Sequence, residues 1–449
     1  MFYAGNIEQF VKKVEADDVK FIQLQFTDFF GTIKSVTIPI ERLPEGLEKG
    51  HWFDGSSIEG FARIAESDMY LQPDMSTYAI LPWGARQRRE ARLICDVYKP
   101  NGEAFEGDPR YILKKVVSEA HEMGFEYNVG PELEFFLFKP TDTGKIVADP
   151  HDVAGYFDCA PRDLANEVKR DIVFALEEMG LEVEMSHHEV APGQHEIDFK
   201  YNKAVKTADE AATFKTVVKS IASQHGLYAT FMPKPIFGVN GNGMHVHQSL
   251  FDMKTNQNVF YDANGEYHLS DLARHFIAGQ LHYARGISAI LAPTVNSYKR
   301  LVPGYEAPVY ICWAQINRSS LIRIPRYSKG REQSTRAELR CPDPSCNPYL
   351  AFAAMLKAGL EGIKNKMQPP KPVEEDVYSL DEEKRTAKNI STLPGSLGEA
   401  IYELSRCEIM SDLFGEQQFK RFIEAKKCEW NEYRIQVTSW EVDKYLERT

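Results

Sequence analysis

Gly130-Pro131-Glu132-Leu133-Glu134-Phe135-Phe136-Leu137-Phe138 is an aromatic, β-prone run that carries two carboxylates. In a strand, side chains at i and i+2 point to the same face. Glu132 and Glu134 therefore share one face, while Leu133 and Phe135 share the other. Like charges side by side are costly unless something cationic sits between them. A hard divalent cation held by oxygen ligands is the simplest answer. An isolated Glu-x-Glu is more often a solvated strand face, so the weight rests on whether other stretches repeat the device.

They do. His187-His-Glu-Val-Ala-Pro-Gly-Gln-His-Glu196 sets Glu189 and Glu196 at either side of a Pro-Gly turn, and a hairpin there brings both to one point. Asn240-Gly-Asn-Gly-Met-His-Val-His247 places His245 and His247 at i and i+2, after a glycine-rich turn that lets a ligand approach the backbone. Arg336-Ala-Glu-Leu-Arg340 lines one strand face with Arg336, Glu338 and Arg340. Arg300, Arg318 and Arg323 add planar donor forks suited to phosphate and carboxylate oxygens. Five glutamates and a histidine suit two divalent cations. Metals plus arginines, with no redox centre, describe phosphoryl transfer by positioning and charge neutralisation. The chain has no Gly-x-x-x-x-Gly-Lys-Ser/Thr and no Gly-x-Gly-x-x-Gly, so neither a P-loop nor a dinucleotide fingerprint is in play.

The composition agrees with a large globular enzyme. The 449 residues suffice for more than one domain. A net charge of −12 argues against nucleic acid as a main partner and against an anionic membrane surface. Residues 1–10 show no signal-peptide pattern, and no apolar run approaches the roughly 20 residues of a membrane span. Seven scattered cysteines, an odd count, point to reduced thiols in a cytoplasm.

Along the chain, residues 7–16 read as a helix, and 20–26, 32–40, 78–81 and 91–98 as strands. His51-Trp-Phe-Asp-Gly-Ser-Ser57 reads as a loop presenting a carboxylate and two hydroxyls. Pro100-Asn-Gly102 and Asp108-Pro109 then punctuate the sequence, which places a small strand-rich domain at about 1–105 and a second at 106–449. In the second, helices at 111–123, 163–179 and 208–225 each stop at a glycine. Strands are expected at 181–185, 196–201, 228–233, 244–251, 320–324 and 336–340, a core helix at 349–363, and helices from about 396 onward. Strand pairs separated by helices predict an α+β fold with a mainly antiparallel sheet.

Phe53-Asp-Gly-Ser-Ser57, Gly130-Pro-Glu-Leu-Glu-Phe135, Asn240-Gly-Asn-Gly-Met-His-Val-His247, Pro293-Thr-Val-Asn-Ser-Tyr-Lys-Arg-Leu-Val-Pro-Gly-Tyr-Glu306 and Asn317-Arg-Ser319 together resemble type I glutamine synthetase, in the family's order and over nearly the whole chain. The resemblance implies a β-grasp-like N-terminal domain, a larger catalytic domain, and a dodecamer of two stacked hexamers with active sites between subunits. It implies that Glu134, Glu189 and Glu196 hold one Mg²⁺ or Mn²⁺, and that Glu132, His245 and Glu338 hold the other, nearer the ATP phosphates. L-glutamate would lie against Asn240, Gly241, His247, Arg300 and Arg340. Glu184, Ser249 and Arg336 fall where the family contacts ATP, and Arg318 where it meets the transferred phosphoryl group. Asp54 resembles the residue that deprotonates ammonium, and Glu306 lies on a Gly304-containing loop that resembles the flap over the glutamate site.

The short 141–161 segment resembles the α subgroup rather than the adenylylated one, and Arg63 resembles an arginine tied there to glutamine feedback. Tyr378 lies near the other subgroup's modified tyrosine but in a different context, Asp-Val-Tyr-Ser-Leu, which speaks against modification. Two further readings stand beside the ligase: a γ-glutamyl ligase for an amine other than ammonia, and an inactive structural or regulatory homologue. The Asp54 loop and Glu306 favour ammonia, and none of the expected ligands is missing.

Overall fold

A computed structural model of the chain describes residues 7–56, 58, 68–84, 88–141, 143–326 and 329–448. Among these, two β-sheets organise the molecule. The first takes β1 (Phe21–Thr27), β2 (Ile33–Pro39), β3 (His51–Asp54), β4 (Asp68–Ile80) and β5 (Glu90–Tyr98), in the order β2-β1-β5-β4-β3. Ile22, Leu24 and Phe26 alternate along β1 into a dry layer with Val14, Leu43 and Leu47 from the Ile7–Ala16 and Leu43–Lys49 helices. The period-two pattern that announces β1 is the one that buries it.

Two expectations change here. His51–Asp54 is a strand and not a loop, paired with β4 so that Asp54 faces Asp68 across the register. The turn formers act one residue later, at Gly55 and Ser56, while His51-Trp-Phe supplies ordinary strand residues. β4 begins at Asp68, ten residues before the expected start at 78. Pro73 and the polar residues around it mask it, and its register against β5 breaks between Asp74 and Ala79, where a bulge is tolerated. Ser57 and Arg63 lie outside the described residues.

The second sheet carries the site. Its strands are β6 (Phe125–Pro140), β7 (Ile146–Pro150), β8 (Val183–His188), β9 (Gln194–Phe199), β10 (Asn202–Lys203), β11 (Tyr228–Thr230), β12 (Met244–Asp252), β13 (Tyr310–Ala314), β14 (Ser320–Arg323) and β15 (Ala337–Leu339). The main path runs β13-β14-β15-β12-β6-β9-β8, while β7, β10 and β11 also pair with β6. All of these pairs are antiparallel except β13 with β14. Leu133, Phe135 and Leu137 are fully buried on the dry face of β6, in one core with Ile112, Ile172 and Phe214 of the Pro109–Glu122, Asn166–Glu178 and Ala204–Gln224 helices. Fully burying each such side chain contributes roughly 1.5–3 kcal/mol, so the strand's dry half fixes where its wet half stands.

A helix at Asp271–Leu291 was not expected, because Gly279, Gly286 and scattered histidines and arginines interrupt its apolar pattern. It packs on the core helix Pro348–Lys364. Arg110, on the Pro109–Glu122 helix and 4% exposed, ties the first sheet to the Ala204–Gln224 helix: its guanidinium binds Asp74 of β4 at 2.8 Å, Asp96 of β5 at 2.8 Å and Asp209 of that helix at 2.9 Å. Removing one partner from such a buried cluster costs roughly 3–5 kcal/mol. None of the seven cysteines is paired. Among the described residues no helix is long and apolar enough to cross a membrane.

Candidate active site

Sheet register assembles the acidic residues. β12 sets His245 opposite Glu132, and β9 sets Glu196 opposite Glu134 and Asp198 opposite Glu132. β8 sets His187 opposite Glu196, β15 sets Glu338 opposite His247, and β14 sets Arg323 opposite Glu338. Directly opposed residues have Cβ atoms about 4.5–5.5 Å apart, so residues far apart in sequence converge without any loop having to fold over them.

Ligand atoms of Glu132, His245 and Glu338 all lie within 4.8 Å of one another. His245 Nδ1 stands 3.5 Å from Glu132 Oε2 and 3.7 Å from Glu338 Oε1. Glu338, 1% exposed, is also held by Arg340 Nε at 3.3 Å and by a short ion pair with Arg323. Burial works to raise the Glu132 carboxyl, but His247 and His245 prevail and hold it well below the usual range. Burial likewise opposes Glu338, whose carboxyl is kept low by His247, His245, Arg340 and Arg323.

The neighbouring group behaves oppositely. Glu134 accepts hydrogen bonds from Gln194 Nε2 at 2.8 Å and from the Gly243 amide at 2.9 Å. Glu189 is pushed up to about 8 by burial and by Glu134, and Asp198 to about 7 by burial and by Glu132. Glu196 is raised well above the carboxylate range by burial, then by Asp198, Glu134, Glu132 and Glu189. Oxygen donors crowded until they repel one another are a set that a divalent cation fits. Asp198 was not singled out from the sequence, although Glu196-Ile-Asp198 repeats the i, i+2 signal. With His187 and Glu196 it forms a second group of ligand atoms within 4.8 Å of one another.

This cluster has a stability signature. A carboxyl whose folded pKa is raised favours the folded state below its unfolded pKa and loses that contribution as pH climbs through the folded value. For Glu189 and Asp198 the loss completes near pH 7–8. Metal-free protein therefore melts at a lower temperature at pH 8.5 than at pH 6, and added Mn²⁺ narrows the gap. Thermal scans with and without chelator check this, and a metal-independent pH profile contradicts it.

The arginines sit around the carboxylates. Arg300 is buried and donates to the carbonyls of Cys341 at 3.0 Å, Pro342 at 3.1 Å and Arg340 at 3.1 Å. Gly243 is required beside it, since a Cβ there would meet Arg300 Nη2 at 2.7 Å and Glu134 Oε1 at 3.2 Å. Arg340 donates to the Arg318 carbonyl. These groups line a cavity of about 330 Å³ together with Glu132, Glu134, Glu189, Glu196, Asn240, Gly241 and Glu306. Asn240 Nδ2 reaches Glu306 Oε2 at 3.5 Å, and Glu306 has φ +57° just after Gly304 at +96°.

A second cavity, about 410 Å³, is lined by Glu184, Ser249, Arg336, Arg331 and Tyr201 among others. His247 opens here and not into the first cavity, with Nε2 2.7 Å from Glu132 and Nδ1 accepting from Arg336 Nε at 3.1 Å. The expected face of Arg336, Glu338 and Arg340 is thus divided, Arg336 serving the second cavity and the other two the first. Glu132, Met185 and Asp198 line both cavities, so the two are separated by one shared wall. Asp54 lines neither; it is exposed at the end of β3 and accepts from the Ser56 amide at 2.8 Å.

Comparison with known proteins fits this arrangement. Residues 18–100 match the glutamine synthetase β-grasp domain and 106–445 the glutamine synthetase catalytic domain. The chain belongs to the glutamine synthetase family. It is 54% identical to the glutamine synthetase of Methanosarcina mazei over 439 residues, covering 98% of this chain and 97% of that one. It is 52% identical to the glutamine synthetase of Clostridium saccharobutylicum over 441 residues, 98% of each chain. Among solved structures, an ADP complex of GmaS superposes at a TM-score of 0.88 with 32% identity, covering 98% of this chain and 99% of that one. Plasmodium falciparum glutamine synthetase, solved by cryo-electron microscopy, gives 0.88 with 27% identity over 99% of both chains. The fold is that of glutamine synthetases, a β-grasp domain followed by a larger mixed α+β catalytic domain, and the family uses ATP and divalent metal ions.

Proposed function

We propose that this chain ligates ammonia to the γ-carboxylate of L-glutamate at the expense of ATP, through γ-glutamyl phosphate, giving L-glutamine, ADP and phosphate. The observation that carries the reading is the shared wall: a cavity rich in arginine and carboxylate and a nucleotide-sized cavity meet at Glu132 and Asp198. A phosphoryl group crossing from one to the other passes between Glu132, Asp198 and the arginines that line the two cavities.

Glutamate lies in the first cavity against Asn240, Gly241, Arg300 and Arg340, with its γ-carboxylate toward Glu132. ATP lies in the second against Glu184, Ser249 and Arg336. His247 fits the nucleotide side or the wall better than the amino-acid role expected for it. Glu134, Glu189 and Glu196 would hold one Mg²⁺ or Mn²⁺, and Glu132, His245 and Glu338 the other, with Asp198 beside both sets. Bound there, the ions offset charge on the phosphates and on the transferring group. Arg318, on the first cavity's rim, meets the phosphoryl group as it arrives. The carboxylate thereby gains a leaving group. Ammonium has no free lone pair and must lose a proton before it attacks, the role we assign to Asp54. Glu306, on its loop, closes the glutamate side and keeps water from the acyl phosphate.

Phosphate release from ATP with glutamate present tests the assignment, comparing ammonium with a panel of amines. Ammonium is the acceptor expected to dominate. Turnover that answers to a polyamine and not to ammonium overturns the reading in favour of another γ-glutamyl–amine ligase. Absence of turnover with every acceptor favours the inactive homologue.

Finer assignments rest on the same basis. We place the domain boundary near residue 105, a dodecamer of two hexameric rings as the assembly, and the cytoplasm as the location, on the unpaired cysteines and acidic balance. Light scattering that returns a smaller particle, or fractionation away from the cytosol, contradicts the last two. The short 141–161 segment supports α-subgroup membership. Arg63→Ala is then expected to leave turnover nearly intact and to weaken inhibition by glutamine. An unchanged inhibition curve removes Arg63 from regulation.

A further inference from the structure

Behind the β8–β9 hairpin, on the side away from both cavities, lies a cluster of imidazoles that the ligase reaction does not use. His151, His188 and His195 are 3%, 0% and 0% exposed, and Asp152 is 5% exposed. The His195 ring centre is 5.2 Å from that of His151 and 4.6 Å from that of His188. His188 is fully engaged, with Nδ1 2.7 Å from the Glu189 carbonyl and Nε2 3.0 Å from Asp152 Oδ1. The other two are not. Nδ1 and Nε2 of His195 and Nε2 of His151 are buried without a hydrogen-bond partner. His151 Nε2 stands 3.2 Å from Asp152 Oδ2, close but outside hydrogen-bonding geometry.

A buried imidazole with neither nitrogen satisfied loses the hydration of both and gains no hydrogen bond in return. Such an orphan in a native core asks for a partner. Ligand atoms of His151, Asp152 and His195 lie within 4.8 Å of one another. Donors around a tetrahedral ion at bond lengths near 2.0–2.1 Å stand about 3.3 Å apart, so small side-chain rotations close the gap.

We propose that His151, Asp152 and His195 bind a zinc-class divalent cation as a structural site distinct from the catalytic ions. Two borderline imidazole nitrogens beside one hard carboxylate make a mixed set that selects Zn²⁺ or Co²⁺ over the Mg²⁺ that all-oxygen sets prefer. The surroundings are those of a ligand's supporting shell. Asp152 is steadied by the Gly193 amide at 3.0 Å, the Leu164 amide at 3.2 Å and His188, while His151 Nδ1 lies 3.4 Å from the Leu137 carbonyl. Lys169, the nearby cation, is committed to Asp163 at 2.6 Å. The ion ties the end of β7 to β9, and so braces the hairpin that carries Glu189 and Glu196 on its other face.

The test uses the assembled enzyme. Wild type and His151→Gln are equilibrated with zinc in excess Mg²⁺, passed over a weak chelator, and their zinc content measured by mass spectrometry. Wild type is expected to keep about one zinc per chain more than the variant, as for a structural site. Crystals of wild type, recorded at the zinc absorption edge, are expected to show an anomalous peak between His151, Asp152 and His195. Equal zinc contents, or a water in place of that peak, overturn the proposal. The crystallographic arm needs no variant, so it decides even if His151→Gln fails to fold.

Discussion

Glu338→Ala lowers kcat by about a hundredfold or more, the scale of a lost electrostatic stabiliser in a closed site. Glu338 is the most buried carboxylate of its group, at 1% exposed, and serves three partners at once: His245, Arg340 and Arg323. Its removal takes away one of three donors for an ion and leaves two guanidiniums facing each other across the gap. The second effect also reaches the glutamate side, because Arg340 lines the first cavity. Glu338→Gln separates them, since it keeps the volume and one oxygen while removing the charge. Steady-state kinetics at saturating Mg²⁺ and again at saturating Mn²⁺, on protein shown by thermal melting to be folded, give the measure. A Glu338→Ala enzyme within about threefold of wild type at saturating metal removes this residue from the reaction.

Mixing two inactive proteins restores activity. Asp54→Ala and Glu132→Ala are each expected to be nearly dead. Asp54 lines neither cavity of its own chain, yet the chemistry asks for a proton acceptor where ammonium enters. In a ring of heterologous contacts, one chain's β3 can complete the next chain's site. A site is whole only if its Asp54 comes from a Glu132→Ala chain and its metal ligands from an Asp54→Ala chain. Random co-assembly in equal amounts yields that combination at roughly one site in four. Activity near a quarter of wild type is the expected outcome. Mixed rings as dead as their parents, with mixing demonstrated by mass, rule out a site shared between chains.

Much of this is legible in the amino-acid sequence. Glu132 and Glu134 announce a metal-bearing strand because the alternation that gathers them on one side also buries Leu133 and Phe135 on the other. The glycine before Met244 and the Pro-Gly turn between Glu189 and Glu196 mark the bends that return the chain to that strand. What sequence withheld was register. Nothing local states that Asp198 stands opposite Glu132, or that His247 leans toward Arg336 instead of the amino-acid cavity. Those facts belong to pairings across more than sixty residues, settled by the hydrophobic half of the sheet. The strand at Asp68–Ile80 escaped because a proline at 73 is read locally as a stop, whereas a neighbouring strand can absorb it.

Glu132, Glu134, Glu196, Asp198 and Glu338 are carried by strands in ladder register, and this makes the spacing of that part of the site discontinuous. Backbone slippage moves a residue by about 3.4 Å along the strand, and a one-residue step also turns it to the dry side. No intermediate backbone setting exists. Finer adjustment has to come from side-chain length, where exchanging glutamate for aspartate withdraws an oxygen by one carbon–carbon bond, about 1.5 Å. Asp198, facing Glu132, is the short acid among longer ones, and its oxygens are set back by that length. The sheet sets the coarse scale, and a single methylene sets the vernier.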